Sequence, residues 1–229
     1  MTDCKRALRP SAFFDLAQQI AEDDAEALDF GYTRLREIDC AWVLCRQHVH
    51  FGKYPLFKQN VRMRSWHAGL SGPLYLRNYQ IIGEEGEVLV SSTSSWVVLN
   101  LKSRTPVSPN HLSALIPAES NCPAYETEAP GKLTVPREAA LEPAGTRHAA
   151  YSDVDYNSHT NNVRYISWAM DCLPEELVYA RSPRDIRINF SHEVLPGGEV
   201  ALFHAFHDGA WYVEGRYGAL NAFTAKFEF

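Results

Sequence analysis

The amino-acid sequence predicts an α+β protein in which a helix beside an antiparallel sheet occurs twice. An apolar pattern at helical spacing, followed by strand-like segments, lies before the middle of the chain and again after it. Between the two halves, seven of the 13 prolines fall within residues 103–145, which show no sustained periodicity. Two such halves in one chain are expected to pair about a pseudo-twofold axis, which makes the chain pseudo-dimeric.

The first half opens with a long predicted helix. Pro10–Ser11 supplies a start signal with Ser11 as the N-cap, apolar residues recur at helical spacing as far as Leu28, and Gly31 ends the run. Segments rich in Val, Ile, Trp and Tyr then predict four strands, with a hairpin turn at residues 83–86. These strands are Ala41–Phe51, Asn60–Trp66, Leu74–Ile82 and Val88–Leu101.

The second half repeats this order. A helix is predicted over Asn161–Cys172, stopped by Leu173–Pro174. Alternating or β-rich segments predict strands at 186–190, 199–206, 210–217 and 223–229. The predicted domains are therefore residues 1–105, a proline-rich connector over 106–132 with a short helix near 110–115, and residues 133–229.

Composition and motifs exclude several classes of function. The net charge is −6 and the pI is about 5.8 without a basic tract, which argues against nucleic acid as a partner. The apolar runs are far shorter than the ~20 residues of a membrane span, and no apolar signal segment opens the chain. Five scattered cysteines without a C-x-x-C pair indicate reduced thiols and a cytoplasmic location. No nucleotide-binding motif or metal-ligand cluster occurs, so neither a cofactor nor a metal is expected.

One segment is too polar for its place in the chain. Residues 152–162 carry nine polar side chains in eleven positions and run directly into the second predicted helix. Helix capping needs only one or two such residues. The excess indicates a functional site.

This segment resembles the motif of the acyl-ACP thioesterases, the plant and bacterial enzymes that release fatty acids from acyl carrier protein (ACP). Their motif reads approximately S-D-L-D-x-N-x-H-V-N-N-x-x-Y-I-x-W, and residues 152–168 here read SDVDYNSHTNNVRYISW. The similarity extends from about Pro10 to the end of the chain and includes Ala41–Leu44 and Ser95–Asn100. It implies two tandem hotdog domains, each with a sheet wrapped around a long helix, the first domain holding the acyl chain. It also implies hydrolysis of fatty acyl-ACP, which releases free fatty acid and ends chain elongation. The partner would be ACP carrying a fatty acyl-phosphopantetheine, and a homodimer stays open.

The resemblance assigns four site residues. Asp155, Asn157 and His159 lie in the polar loop, and Glu193 is expected on a later strand. In plant members a cysteine follows this glutamate, whereas here the position is Val194. A covalent cysteine mechanism is therefore disfavoured, and direct hydrolysis by water is expected. Either Glu193 or His159 can take the proton of that water, and Asp155 would orient Asn157 or His159.

Neighbouring residues receive structural assignments. Asn161 and Asn162 are expected to cap the helix, whose N–H groups would face the carbonyl oxygen of the thioester. Tyr165 and Trp168 are expected in the core. Because ACP is acidic and this chain is net negative, docking needs local basic residues, for which the candidates are Arg6, Arg9, Lys53, Arg62 and Arg64.

Other functions remain open at this stage. The same chemistry on acyl-CoA is one alternative, and a hotdog protein that binds acyl thioesters without hydrolysing them is another. A dehydratase on the same fold is less favoured, because the first half offers no partner for the acid and base. The acyl chain length does not follow from the sequence.

Overall fold

The computed structural model describes residues 1–117 and 128–229, which form two compact units. The first unit lies within residues 15–130, and the second comprises residues 131–229 together with residues 1–14. The domain bounds expected at residues 105 and 133 stay a prediction. The part of the expected connector at 118–127, which includes Cys122, lies outside the described residues.

The helices and strands follow the predicted order. The helices are α1 (Pro10–Ala27), α2 (Tyr32–Glu37), α3 (Asn162–Met170) and α4 (Glu175–Ala180), and 3-10 turns occur at Pro109–Leu112 and Tyr151–Asp153. The strands are β1 (Cys40–Phe51), β2 (Arg62–Ser71), β3 (Leu74–Ile82), β4 (Val88–Asn100), β5 (Thr105–Pro106), β6 (Glu142–His148), β7 (Asp185–Phe190), β8 (Glu199–His207), β9 (Ala210–Tyr217) and β10 (Leu220–Glu228).

The first unit contains an antiparallel sheet in the order β2-β3-β4-β1, with β5 paired to β4. Its apolar core includes Phe30, Leu35 and Tyr75, all at most 3% exposed. Trp42 packs edge-on against Tyr75 at 5.0 Å between ring centroids, and its indole N–H donates to the carbonyl of Phe30 at 2.9 Å. The indole thus joins the apolar core to a hydrogen bond with the backbone before α2.

A partly buried ion pair lies between α1 and β3 in this unit. The Arg77 guanidinium contacts the Asp24 carboxylate at 2.5 Å and the Ser65 hydroxyl at 3.0 Å. The Arg77 side chain is 8% exposed and that of Asp24 is 29% exposed. Arg77 therefore depends on Asp24 for charge compensation, because a buried cation without a partner is costly.

The second unit contains an antiparallel sheet in the order β7-β10-β9-β8-β6. Helix α3 packs against β9 and β10, and its Tyr165 ring stacks on the ring of Phe223 at 5.2 Å. Gly215 lies opposite Phe223, and a Cβ atom at residue 215 would approach that ring to 2.1 Å. Because glycine has no side chain, the Phe223 ring can occupy this space beside the helix.

Most predicted strands are confirmed to within three residues, but β2 runs five residues past its expected end at Trp66, and the helix ends differ. Helix α1 begins at Pro10, and the carbonyl of Arg9 accepts the N–H groups of Ala12 and Phe13. Ser11 is therefore inside the helix and is not its N-cap, because proline without an N–H suits the first helical position. Helix α3 has nine residues and ends before Cys172, so the second unit lacks the long helix expected for it. Strand β6 and the six-residue helices α2 and α4 were not predicted.

We expect Asp24→Asn to lower the free energy of unfolding by about 3 kcal/mol, because it removes the charge partner of the buried Arg77. Urea denaturation measures the change. Asp23→Asn is the matched control, since Asp23 is exposed and bonds only to Gln19 among the contacts described; its effect should stay within about 0.5 kcal/mol. Equal effects of the two substitutions would contradict the assignment of the ion pair.

Candidate active site

The loop between β6 and α3 is tied together at both ends. The Asp153 carboxylate accepts the backbone N–H of Ala150 at 3.0 Å, and the Asp153 carbonyl accepts the N–H of Asn161 at 2.8 Å. Arg164 on α3 donates to the carbonyl of Ser152 at 2.8 Å. These contacts fix the start of the loop to the start of the helix. The residues between them, 154–160, are called the closed turn.

The closed turn holds three of the predicted site residues. The N–H of Asp155 donates to the carbonyl of His159 at 2.9 Å, and the Asp155 carboxylate accepts the N–H of Asn157 at 2.8 Å. Ser158 adopts a left-handed conformation with φ 63°, which polar residues of tight turns tolerate better than branched ones. Asp155 therefore orients Asn157 through its backbone.

Glu193 meets this turn from another loop. It lies between β7 and β8, three residues beyond Phe190, and not on a strand as expected. Its Oε2 lies 3.3 Å from Nε2 of His159, and the two side chains are 41% and 32% exposed. The structure thus brings Glu193 and His159 together in a position that a solvent molecule can reach.

The residue after Glu193 has a structural role. The Val194 side chain is fully buried, and its carbonyl accepts the N–H of Thr160 at 2.9 Å. Its N–H donates to the hydroxyl of Tyr165 at 3.1 Å. Sequence reasoning placed Tyr165 in the core, which its 1% exposure confirms, but missed this hydroxyl contact. A tyrosine in place of phenylalanine at a buried helix position was the available signal, because a buried hydroxyl needs a partner.

The N-terminus of α3 follows directly. Asn161 is the N-cap, and its side-chain oxygen accepts the N–H of Val163 at 2.9 Å, which confirms the capping role expected for Asn161. Other N–H groups of the first helical turn have no partner within a helix, and the helix dipole adds partial positive charge there. This end of α3 can stabilise negative charge that develops beside the closed turn.

The described thiols do not form a nucleophilic site. Burial raises the pKa of Cys172 to about 11, and its Sγ contacts the carbonyl of Trp168. Burial also raises the pKa values of Cys40 and Cys45. Cys4 is exposed. Since the thiolate is the reactive form, a buried thiol with a raised pKa is a poor nucleophile.

Within residues 1–117 and 128–229, no three or more His, Cys, Asp or Glu side chains are grouped to hold a metal ion. None of the helices in these ranges has the length and apolar character needed to cross a membrane. The groups that the closed turn, the Glu193 loop and α3 bring together are a carboxylate, an imidazole, an amide and the start of a helix. Such a set can activate water and stabilise an oxyanion.

Comparison with solved structures identifies the class of fold. The chain is similar over its whole length to an acyl-ACP thioesterase from Bacteroides thetaiotaomicron, with a TM-score of 0.89, 24% identity and 92% of that chain covered. It is also similar to a 12:0-ACP thioesterase from Umbellularia californica, with a TM-score of 0.85, 20% identity, and 99% and 92% of the two chains covered. These matches confirm the predicted α+β hotdog fold.

Sequence comparison identifies the family. Residues 1–111 match the model of the acyl-ACP thioesterase N-terminal domain, and residues 144–218 match that of the acyl-ACP thioesterase C-terminal domain. The chain belongs to the acyl-ACP thioesterase family. An oleoyl-ACP thioesterase of Arabidopsis thaliana is 27% identical in an alignment 200 residues long that covers 78% of this chain and 53% of the relative. A palmitoyl-ACP thioesterase of Cuphea hookeriana is 25% identical in an alignment 171 residues long that covers 71% of this chain and 41% of the relative. The chain therefore spans about half the length of such relatives.

Removal of the α3 cap should destabilise the protein. We expect Asn161→Ala to lower the free energy of unfolding by about 1 kcal/mol, because the N–H of Val163 loses its acceptor. Urea denaturation measures the loss. Asn162→Ala, one residue inside the helix, is the control and should cost less. A larger loss for Asn162→Ala would show that the cap is wrongly assigned.

Alkylation of the thiols should follow their environments. We expect iodoacetamide at pH 8 to modify the exposed Cys4 and to leave Cys172 unmodified in the folded protein. Below its pKa of about 11, the thiolate fraction of Cys172 rises about tenfold per pH unit, so reaction should begin only at high pH. Peptide mass spectrometry measures both sites. Modification of Cys172 as fast as Cys4 at pH 8 is the outcome that rejects this assignment.

Proposed function

We propose that the protein hydrolyses the thioester bond of fatty acyl-ACP, releasing free fatty acid and ending chain elongation. The observation that carries the proposal is the contact between His159 and Glu193, 3.3 Å apart beside the N-terminus of α3. Membership of the acyl-ACP thioesterase family supports the choice of substrate. The related plant proteins are named for oleoyl-ACP and palmitoyl-ACP.

The reaction begins with water. The Glu193–His159 pair accepts a proton as the water oxygen attacks the thioester carbonyl carbon. The carbonyl oxygen becomes negative in the tetrahedral intermediate, where the first turn of α3 and the Asn157 amide can stabilise it. One well-placed donor of this kind typically lowers the barrier by roughly 2.7–4 kcal/mol. When the carbon–sulfur bond breaks, the sulfur takes the proton held by the pair, and the products are a fatty acid and the thiol of the carrier.

The supporting residues fit these roles. Asp155 holds the backbone of Asn157 at 2.8 Å and so fixes the start of its side chain. A direct attack by water, without an acyl-enzyme, is favoured because residue 194 is a buried valine and Cys172 is a buried thiol with a raised pKa. The imidazole and the carboxylate share the proton chemistry as one unit, as paired groups do in other hydrolases.

The partner and the location are further parts of the proposal. ACP would deliver the substrate, and the basic residues that we expect to contact it are Arg6, Arg9, Lys53, Arg62 and Arg64. A cytoplasmic location is proposed from the free thiols of Cys4, Cys40, Cys45 and Cys172, which are typical of reducing compartments. A homodimer stays a prediction, for which mass photometry is the direct measurement.

The first test is thiol release from acyl-ACP by the wild type, Glu193→Gln and His159→Ala. We expect each variant to lose about 10²–10⁴-fold in kcat, because each lacks one member of the pair that takes the proton. His148 and Glu199 form a matched exposed pair in the same unit, with Nε2 and Oε2 3.5 Å apart. His148→Ala and Glu199→Gln should retain wild-type kcat.

The carrier is tested by comparing acyl-ACP with the matching acyl-CoA. A higher kcat/KM on the ACP series supports the proposal. A preference for acyl-CoA would reject ACP as the carrier and keep the hydrolase assignment. Binding of acyl thioesters without thiol release would reject the enzyme and favour a binding protein.

A further inference from the structure

The hydroxyl of Tyr165 joins α3 to the loop that carries Glu193. Its oxygen accepts the N–H of Val194 at 3.1 Å, in a buried bond. The carbonyl of Val194 accepts the N–H of Thr160 at 2.9 Å. Val194 directly follows Glu193, and Thr160 directly follows His159. The backbone of one residue is thus held from two sides, next to both members of the reactive pair.

The hydroxyl has a fixed position because the ring that carries it is fixed. Tyr165 is 1% exposed and stacks on Phe223 with an interplanar angle of 14°. Its ring also contacts Phe190 at 6.1 Å and Trp168 at 5.5 Å between centroids. Aromatic packing on three sides leaves the ring little freedom to move. The hydrogen bond to Val194 therefore sets the position of the loop, and the loop does not set that of the ring.

Burial keeps this hydroxyl neutral. It raises the pKa of Tyr165 well above the ordinary value, and the charges of Glu193 and Asp155 raise it further, although the Val194 hydrogen bond opposes them. The oxygen thus accepts the Val194 N–H at any working pH without adding a negative charge beside the two carboxylates.

We propose that Tyr165 is a positioning residue, whose hydroxyl holds the Glu193–Val194 backbone so that the Glu193 carboxylate meets the His159 imidazole. The inference rests on the proposed thioester hydrolysis. Glu193 lies three residues past the end of β7, outside any helix or strand. The N–H groups of Ser191 and His192 still donate to the carbonyl of Ala222 on β10, and beyond them the loop is held through the backbone of Val194. Without the hydroxyl, the buried Val194 N–H has no acceptor there and the loop must move to find one.

The test is Tyr165→Phe, which removes the hydroxyl and keeps the packed ring. We expect kcat to fall about 10- to 100-fold with KM within about twofold, because a displacement of about 1 Å at a reacting group costs about this much. Tyr212→Phe is the matched control, since Tyr212 is also buried in the second unit and lies on β9. It should retain wild-type kcat. An unchanged kcat for Tyr165→Phe overturns the inference.

A double variant distinguishes positioning from general loss of stability. If Tyr165 acts through Glu193, adding Tyr165→Phe to Glu193→Gln should lower kcat no further, because the group being positioned is already gone. Full additivity of the two effects overturns the inference.

A crystal structure of Tyr165→Phe decides the geometry without any activity. We expect the distance between His159 Nε2 and Glu193 Oε2 to lengthen from 3.3 Å to beyond about 4 Å, where the two groups no longer contact each other. An unchanged distance overturns the inference. This readout stays decisive if the wild type fails to hydrolyse acyl-ACP, an outcome that rejects the proposed function and not the positioning.

Discussion

The geometry of the site depends on where α3 begins. The Asn161 side chain accepts the N–H of Val163, and the Asn161 N–H donates to the carbonyl of Asp153. These two bonds fix the residue at which the helix begins. The turn that carries His159 closes immediately before this point. Tyr165 lies about one helical turn after Asn161, so the helix sets the distance along its axis between the cap and the Tyr165 side chain. The cap thus joins the turn that carries the imidazole to the helix that carries the phenol, and the aromatic packing of Tyr165 fixes the phenol itself.

The two units reach specific packing by different means. In the first unit, β4 carries an unbroken polar run, Ser91–Ser95, and all five residues are at most 5% exposed. Three of these residues form side-chain hydrogen bonds to neighbouring strands: Thr93 donates to Asn78, Ser92 accepts from Gln47, and Ser94 bonds with Tyr79. In the second unit, the rings of Phe190 and Phe223 pack against the Tyr165 ring of α3 instead. Buried polar networks tolerate few alternative arrangements, because any misplaced member loses its partner.

The sequence predicted most strands because they are rich in Val, Ile, Trp and Tyr or, at residues 186–190 and 223–229, alternate in polarity. Leu74–Ile82 and Ala210–Tyr217 have the bounds that were expected. Strand β6 was missed because it lies at the edge of its sheet, contains Pro143 and Gly145 and has no buried face to produce alternation. The six-residue helices are too short for a helical period. At the site, the polar loop was visible as an excess of polar residues before a helix. The contact of Glu193 with His159 was not, because it arises from backbone bonds between two separate loops.

Those backbone bonds explain what the site requires at residue 194. The N–H and the carbonyl of Val194 hold the Glu193 loop to Tyr165 and Thr160, whereas its side chain is fully buried. Every residue type except proline supplies both backbone groups. A cysteine and a valine would therefore satisfy the same structural demand, since both are small and apolar enough for a buried position. Tyr165, which accepts the N–H of Val194, is harder to replace, because tyrosine is the aromatic residue whose side chain carries an acceptor oxygen. The chemistry of the site thus depends on residue 194 for its backbone and on residue 165 for its side chain.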